Sequence, residues 1–321
     1  MLAPRFVVWM FLVGILGLDA QAVSGQNYPN KPVRIVTGGV GSGSDFVSRL
    51  IAQGLSGSLG QQVIVDNRPS GVIPGDTVAK APPDGYTLLV SGSVLWIGPL
   101  LRDTNPYDPV KDFTAVTLAA SSPNILVVHP SLPVKTVREL IALAKAKPGA
   151  LNYSSAGTGA STHLAAELFK AMASVDIVRV PYKSSAAEMA DLIGGHVQLT
   201  FGSTGAVTPH IRSGRLRAVA VTSPRPSVLA SDLPTVAASG LPGYESVNIV
   251  GMFAPAGTPQ AIINRLNQET VRVLNQADVK KKVLNSGVET VGSLPEECAA
   301  AMKSEMVRLG KVIKDAGIRA E

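Results

Sequence analysis

Short apolar runs alternate with longer amphipathic segments along most of the chain. The short runs are rich in Val and Ile, which is typical of strands, and the longer segments place apolar residues three or four positions apart, which is typical of helices. The pattern predicts strands over residues 33–37, 62–66, 86–91, 125–129, 151–154, 177–180, 197–201, 217–222 and 248–253. It predicts helices over residues 44–59, 136–147, 161–173, 185–193, 208–213, 259–275 and 295–316. This alternation predicts an α/β fold with largely parallel sheets.

Two stretches of turn character interrupt the alternation. Residues 119–124 lie between two apolar runs, and residues 234–244 contain prolines, glycines and a tyrosine. If both stretches cross between lobes, residues 125–234 form one lobe, including the return crossing. Residues 23–124 and 235–321 then form the other lobe. This organisation predicts a cleft between the lobes, where ligands commonly bind.

The first 22 residues have the pattern of a signal peptide. Arg5 precedes an apolar run over residues 6–18, and Ala20-Gln21-Ala22 is a small-x-small cleavage site. The apolar run is too short for a comfortable membrane span. We therefore expect the chain to be exported and its mature form to begin near Val23.

The charged residues and the single cysteine exclude several classes of protein. The formal net charge is +6, but the Lys and Arg residues are scattered and no nucleic-acid-reading motif is present, so we expect no nucleic-acid partner. Cys298 is the only cysteine, which excludes an intramolecular disulfide. It lies in a helical pattern, and we interpret it as a packing residue.

No sequence pattern supports catalysis. The chain contains no Gly-x-Ser-x-Gly elbow, so a serine hydrolase of that type is not indicated. The histidines have no metal-ligand spacing; they are His129, His163, His196 and His210. We therefore expect neither an enzyme nor a metal or cofactor site.

Residues 38–46, GGVGSGSDF, form a glycine-serine segment between a predicted strand and a predicted helix, here called the first loop. It lacks the lysine that a Walker A loop requires, and its glycine spacing does not fit the dinucleotide fingerprint. Free backbone N–H groups and the positive end of a helix dipole would suit a carboxylate there. The predicted ligand contacts are Gly41, Ser42, Gly43 and Ser44, whereas Asp45 is expected to cap its own helix. The alternative is a plain strand-to-helix turn.

Residues 154–163, SSAGTGASTH, form a second loop of the same kind. One such loop in each lobe would present two helix N-termini to a shared cleft, which could hold a monocarboxylate or a dicarboxylate. The predicted ligand contacts are Ser155, Gly157, Thr158, Gly159, Ser161, Thr162 and His163. For His163 two roles stay open, donation to a ligand oxygen and satisfaction of a backbone carbonyl.

Further candidate contacts lie where predicted strands end. Ser91 and Ser93 follow one strand, and Ser203 and Thr204 follow another, at positions that face the cleft in doubly wound sheets. The alternative for each pair is a simple turn. Trp96 could form an apolar wall for the ligand or pack in the core.

Several separate stretches together resemble one protein family. They are YP at 28–29, KPVR at 31–34, NRP at 67–69, PDGYTLL at 83–89, YDPVKDF at 107–113, LNYSS at 151–155, VPYK at 180–183, GLPGYE at 240–245 and APAGTP at 254–259. In this order they resemble the solute-binding proteins of the tripartite tricarboxylate transporter family, called Bug or TctC proteins. The resemblance covers nearly the whole mature chain.

The resemblance implies a function as well as a fold. It implies a periplasmic binding protein of the Venus-flytrap type, with two lobes that are each a mixed, mostly parallel sheet flanked by helices. Such a protein closes as a monomer around a small organic anion, usually a carboxylate, and delivers it to the permease subunits of a tripartite tricarboxylate transporter. A ligand-sensing partner of a signalling receptor and an exported enzyme acting on carboxylates are the alternatives.

The chain departs from the family pattern at three places. The first loop has TGGVGS at 37–42 where the family commonly has a Pro-Phe-x-Pro-Gly-Gly stretch, and the loop after NRP is altered to SGVIPG at 70–75. Gly202 stands where many members have an Asp. The loss of that carboxylate removes an acceptor for a ligand amine or hydroxyl, so an amino-acid ligand is less expected.

Overall fold

The computed structural model describes residues 28–68, 72–155, 158–182 and 185–319. The predicted signal peptide lies outside the described residues, and so does Gly157 of the second loop. In the described part of the chain, no helix has the length and apolar character needed to cross a bilayer.

The strands form one curled sheet with two halves. The first half-sheet has the order β2-β1-β3-β9-β4, and β10 pairs with β4. Its strands are β1 (Val33–Thr37), β2 (Val63–Asn67), β3 (Thr87–Gly92), β4 (Phe113–Val128), β9 (Val247–Pro255) and β10 (Glu289–Thr290). Strand β1 runs parallel to β2 and β3, whereas β9 is antiparallel to both β3 and β4.

The second half-sheet is built on the far end of β4. Its other strands are β5 (Asn152–Ser155), β6 (Val178–Pro181), β7 (Leu199–Ser203) and β8 (Arg217–Val221). Strand β5 lies between β6 and β7 and is parallel to both, while β7 and β8 are antiparallel to β4. The predicted mixed α/β architecture is thus present, but the described sheet is less parallel than predicted, with four parallel and five antiparallel pairings.

Strand β4 runs through both halves without a break. Its residues up to Pro123 pair with β9, and Asn124 begins the pairing with β7. The sequence instead predicted a crossing segment over 119–124 between two strands. Pro123 is tolerated because it lies at the end of the β4–β9 ladder, opposite Val247, the first residue of β9. The lobe boundaries proposed from the sequence stay predictions.

The helices cover both faces of the sheet. They are α1 (Gly43–Leu59), α2 (Ile73–Ala79), α3 (Val94–Ile97), α4 (Val137–Ala146), α5 (Ser161–Ala173), α6 (Ser185–Ile193), α7 (Thr204–Arg212), α8 (Gln260–Leu274), α9 (Ala277–Asn285) and α10 (Pro295–Asp315). Helix α4 begins with a capping box, since Thr136 Oγ1 accepts from the Glu139 N–H and the Glu139 carboxylate accepts from the Thr136 N–H. Helices α2, α3 and α9 were not predicted.

Helix α10, near the end of the chain, packs against elements of both half-sheets. It packs against β4, α3 and α5. Its residue Cys298 is fully buried in the same cluster as Phe253 and Met302, which confirms the predicted packing role. Burial raises the pKa of the Cys298 thiol to about 12, so the residue is an inert thiol at neutral pH.

Candidate functional site

A cavity of about 450 Å³ lies where the starts of α1 and α5 come together with β3, β9 and α10. Eight of the fifteen ligand contacts predicted from the sequence line it. They are Ser42, Gly43 and Ser44 of the first loop, Ser91 and Ser93 after β3, and Thr158, Gly159 and Ser161 of the second loop. The structure thus brings residues of both loops to one cavity, and their contact with a ligand stays a prediction.

Asp45 was expected to cap helix α1, but the N-cap residue is Ser42, and Asp45 holds the first loop instead. The carboxylate of Asp45 accepts from the Gly41 N–H at 2.8 Å and from the side chain of Asn67 at 2.8 Å. Burial alone would raise the pKa of Asp45, but the hydrogen bonds from Asn67, Gly41 and Arg49 lower it. Asp45 is therefore a charged support of the loop, and its carboxylate already has partners.

Helix α1 begins at the cavity with two backbone N–H donors that are not used within the described part of the protein. Ser42 is the N-cap residue, and its Oγ accepts from the Asp45 N–H at 3.2 Å. The N–H groups of Gly43 and Ser44, the first two residues of the helix, have no acceptor among the described residues. Ser42 and Ser44 also place their hydroxyls 3.1 Å apart. Two backbone donors and two hydroxyls thus meet at one helix N-terminus, which carries about half a positive charge.

Helix α5 begins without a side-chain cap. Its N-cap residue is Ala160, which has no side-chain oxygen, and the N–H of Ser161 has no acceptor among the described residues. Gly159 precedes the helix with φ +79°, and a Cβ there would lie 2.4 Å from Cδ1 of Leu101. Only glycine fits this conformation and this close approach. The second loop therefore turns its uncapped helix start towards the cavity.

His163, the last residue of the second loop, lies in the first turn of α5 and is 3% exposed. Its Nδ1 accepts from the Gly159 N–H at 3.1 Å, a role outside the two that the sequence left open. Burial, together with the Arg179 guanidinium, lowers the pKa of His163 to about 4. The ring is neutral at pH 7, so its proton is on Nε2 and its Nδ1 fixes the loop.

Other predicted contacts lie away from the cavity wall. Ser155 is fully buried and accepts from Nε of Arg179 at 2.9 Å, and Thr204 donates to the Pro123 carbonyl at 2.9 Å. Ser203 is exposed at the start of α7. Gly41 and Thr162 flank the lining residues of their loops. For these residues a ligand contact stays a prediction.

Position 202 has no room for a side chain larger than that of glycine. Gly202 lies in β7, where a Cβ would be 2.3 Å from Cγ1 of Val207. Val207 of α7 therefore fills the space that a larger residue at 202 would need, and Gly202 does not line the cavity.

Two charged residues of the cavity were missed by the sequence analysis. Arg102 follows α3 and is half-buried, and it has no ion pair within the described residues. Glu305 of α10 is 5% exposed and accepts from Nε1 of Trp96 at 2.9 Å and from Oγ of Ser93 at 3.1 Å. Burial raises the pKa of Glu305, while the bonds from Trp96 and Ser93 lower it in part.

The spacing of the apolar residues in α10 could have identified Glu305 as a buried residue. The buried residues of α10 are Cys298, Met302, Glu305, Leu309, Val312 and Ile313. Their spacing of three and four marks one face of a helix, and Glu305 is the carboxylate within that apolar stripe. A buried acid at such a position needs partners, which Trp96 and Ser93 supply. Trp96 is itself fully buried, as its packing alternative predicted.

Apolar side chains complete the cavity. Ile97, Leu101, Leu164 and Leu309 line it beside the polar loops. No group of His, Cys, Asp and Glu residues in the described chain is arranged to hold a metal ion. The arrangement suits a small molecule with an anionic end and an apolar body.

Comparisons with known proteins agree on one family. The family model for TctC, the tripartite tricarboxylate transporter family receptor, matches residues 47–318. The protein BugT from Bordetella pertussis is 34% identical over 305 residues, which cover 94% of this chain and 94% of BugT.

Two solved structures resemble the chain over most of its length. R. palustris Rpa4515 with adipate is 37% identical, with a TM-score of 0.73 over 91% of this chain and 99% of that chain. MatC from Rhodopseudomonas palustris with bound malate is 28% identical, with a TM-score of 0.70 over 89% of this chain and all of that chain. These matches confirm the predicted periplasmic binding protein fold.

Proposed function

Because this chain belongs to the tripartite tricarboxylate transporter family receptors, we propose that it captures a small carboxylate in the cavity between its two loops. The ligand would be carried to the membrane subunits of a transporter of that family. Residues 1–22 would direct the protein to the periplasm.

The observation that carries this proposal is the meeting of two helix N-termini in one cavity. The N–H groups of Gly43, Ser44 and Ser161 have no acceptor among the described residues, although all three residues line the cavity. The first N–H groups of a helix have no partner within the helix, so at a cavity they are available to a ligand. An anion with two oxygens is the partner that would satisfy them and both helix dipoles together.

The expected affinity follows from these contacts. Each hydrogen bond to a charged group contributes about 1.5–3 kcal/mol. Several such bonds, less the cost of ordering the ligand, are enough for micromolar binding, which corresponds to about 8 kcal/mol. No catalytic group is needed for this function.

The ligands of the similar structures suggest where to begin. Adipate and malate are bound in proteins 37% and 28% identical to this chain. We propose a ligand of similar size, with the carboxylate at the loops and its carbon chain against Ile97, Leu101, Leu164 and Leu309.

Thermal unfolding of the mature chain tests the proposal. The protein, first stripped of ligand by unfolding and refolding, is heated with adipate, malate, succinate, citrate and short monocarboxylates. At about a hundred times the dissociation constant, a ligand adds about 2.7 kcal/mol of stability and raises the Tm by roughly 5–10 °C. The control is 1,6-hexanediol, which has the length of adipate and no carboxylate. An equal shift with the diol, or no shift with any acid, would contradict carboxylate binding.

A further inference from the structure

Glu305 stands out among the residues that line the cavity. It is the one carboxylate among the described lining residues, and Arg102 is the one cation. A buried carboxylate does not help a cavity to attract anions, since the carboxylate and an anionic ligand repel each other strongly where water is excluded. Its presence in the wall therefore calls for a role towards the ligand.

The carboxylate of Glu305 is held in place by two donors from one short segment. Trp96 donates to Oε2 at 2.9 Å, and the Ser93 hydroxyl lies 3.1 Å from Oε1 and 3.2 Å from Oε2. A carboxylate has about four lone-pair positions, so these two donors leave capacity for a further one. The oxygens are thus oriented in advance for a donor that enters the cavity.

The charges of the cavity lead to the same conclusion. Two helix N-termini contribute about half a positive charge each, and Arg102 adds one, whereas Glu305 subtracts one. The sum is about one positive charge. A ligand with a single carboxylate balances it, and a second carboxylate near Glu305 would form a buried like-charge pair.

We propose that Glu305 sets the specificity of this cavity by accepting a hydrogen bond from the ligand. The preferred ligand then carries one carboxylate, held by the two loops, and a hydroxyl or ammonium donor further along its chain. This inference rests on the proposed function, because the loops must hold the carboxylate. It separates this chain from a receptor selective for simple dicarboxylates.

Calorimetric titration of matched four-carbon and six-carbon acids tests the inference. The first set is butyrate, succinate, 4-hydroxybutyrate and 4-aminobutyrate. The second is hexanoate, adipate, 6-hydroxyhexanoate and 6-aminohexanoate. In the set that fits the cavity, the hydroxy or amino acid is expected to bind the wild type at least about tenfold more tightly than the diacid. The two donor acids show whether a hydroxyl or an ammonium is preferred.

The Glu305→Gln variant connects that preference to this residue. Glutamine keeps an oxygen for Trp96 and Ser93, but it is neutral and its amide can donate to a second carboxylate. The variant should lose the tenfold preference and bind the diacid more tightly than the wild type does. The matched control is Glu296→Gln, which changes an exposed carboxylate at the start of the same helix.

The outcomes separate this inference from the proposed function. Diacids that bind the wild type as tightly as the donor acids would overturn the role of Glu305 and leave carboxylate binding intact. The same holds if Glu305→Gln retains the wild-type preference. No binding by any acid of either set would overturn both. The wild-type comparison decides the matter even if the variant does not fold.

Discussion

His163 supports the second loop as a neutral acceptor, which makes the loop sensitive to acid. The pKa of His163 in the fold is about 4, whereas a histidine in the unfolded chain titrates near 6.5. Between these values the unfolded state binds more protons, so the stability contributed by this group is complete above pH 6.5 and is lost as the pH falls towards 4. Protonation would also place a proton on Nδ1, which now accepts from Gly159.

We therefore expect His163→Asn to flatten the acid dependence of stability. From pH 7 to pH 5 the wild type should lose about 2 kcal/mol of unfolding free energy through this residue, and the variant should not. Asn retains an oxygen near the position of Nδ1 and cannot be protonated. Urea unfolding at both pH values measures the difference, with the exposed His196→Asn as control. A variant with the full wild-type loss would show that His163 is not the titrating group.

At the scale of the element, the starts of α1 and α5 allow a single N–H to be removed from each helix. Proline is well accepted at the first helical position, which is Gly43 in α1 and Ser161 in α5. The preceding residues, Ser42 and Ala160, have ψ values of 160° and 155°, as residues before proline prefer. Gly43→Pro and Ser161→Pro should each weaken carboxylate binding by about tenfold or more, because one charge-assisted bond is lost.

Alanine variants at the same positions are the controls for this experiment. Gly43→Ala keeps the N–H, and its Cβ would meet no heavy atom within 4 Å. Ser161→Ala removes the hydroxyl and keeps the N–H. Dissociation constants from calorimetry should separate each proline variant from its alanine partner. Equal constants within a pair would mean that the N–H group does not contact the ligand.

Elements that depend on local sequence signals were predicted, whereas elements that depend on distant contacts were missed. Helices α1 and α5 were predicted, together with their loops, because the strand, turn and amphipathic signals are all local there. Helix α2 was missed, since Pro74 and Gly75 in its first turn are typical of turns. The continuous path of β4 depends on pairing with β9, whose residues lie more than a hundred positions later, so residues 119–124 resembled a break.

Glu305 was missed for the same physical reason. Ser93 and Trp96 are more than two hundred residues away from it along the chain, and only the fold brings them together. The expectation against amino-acid ligands considered Gly202 alone. That position is filled by Val207, whereas the acceptor in the cavity comes from a helix near the end of the chain.

At the scale of the whole molecule, β4 joins the half-sheet that carries the first loop to the half-sheet that carries the second. A carboxylate bound to both α1 and α5 would favour the arrangement in which the two helix starts are close. We expect small-angle scattering to give a smaller radius of gyration for the wild type with a saturating acid than without it. Gly43→Pro at the same acid concentration should remain nearer the ligand-free value. An unchanged radius for the saturated wild type would argue against closure around the ligand.

The hydrogen bond from Trp96 to Glu305 has an optical consequence. The sequence has two tryptophans, and Trp9 lies in the segment that would be removed on export. The mature protein would then have a single indole, and its N–H is 2.9 Å from a carboxylate oxygen in the cavity wall. Indole emission depends on the local electric field, so a ligand that neutralises or polarises Glu305 would change the colour of the native fluorescence. The single indole thus lies behind the cavity wall, bonded to a residue that lines it, and the occupancy of the cavity can be followed without any label.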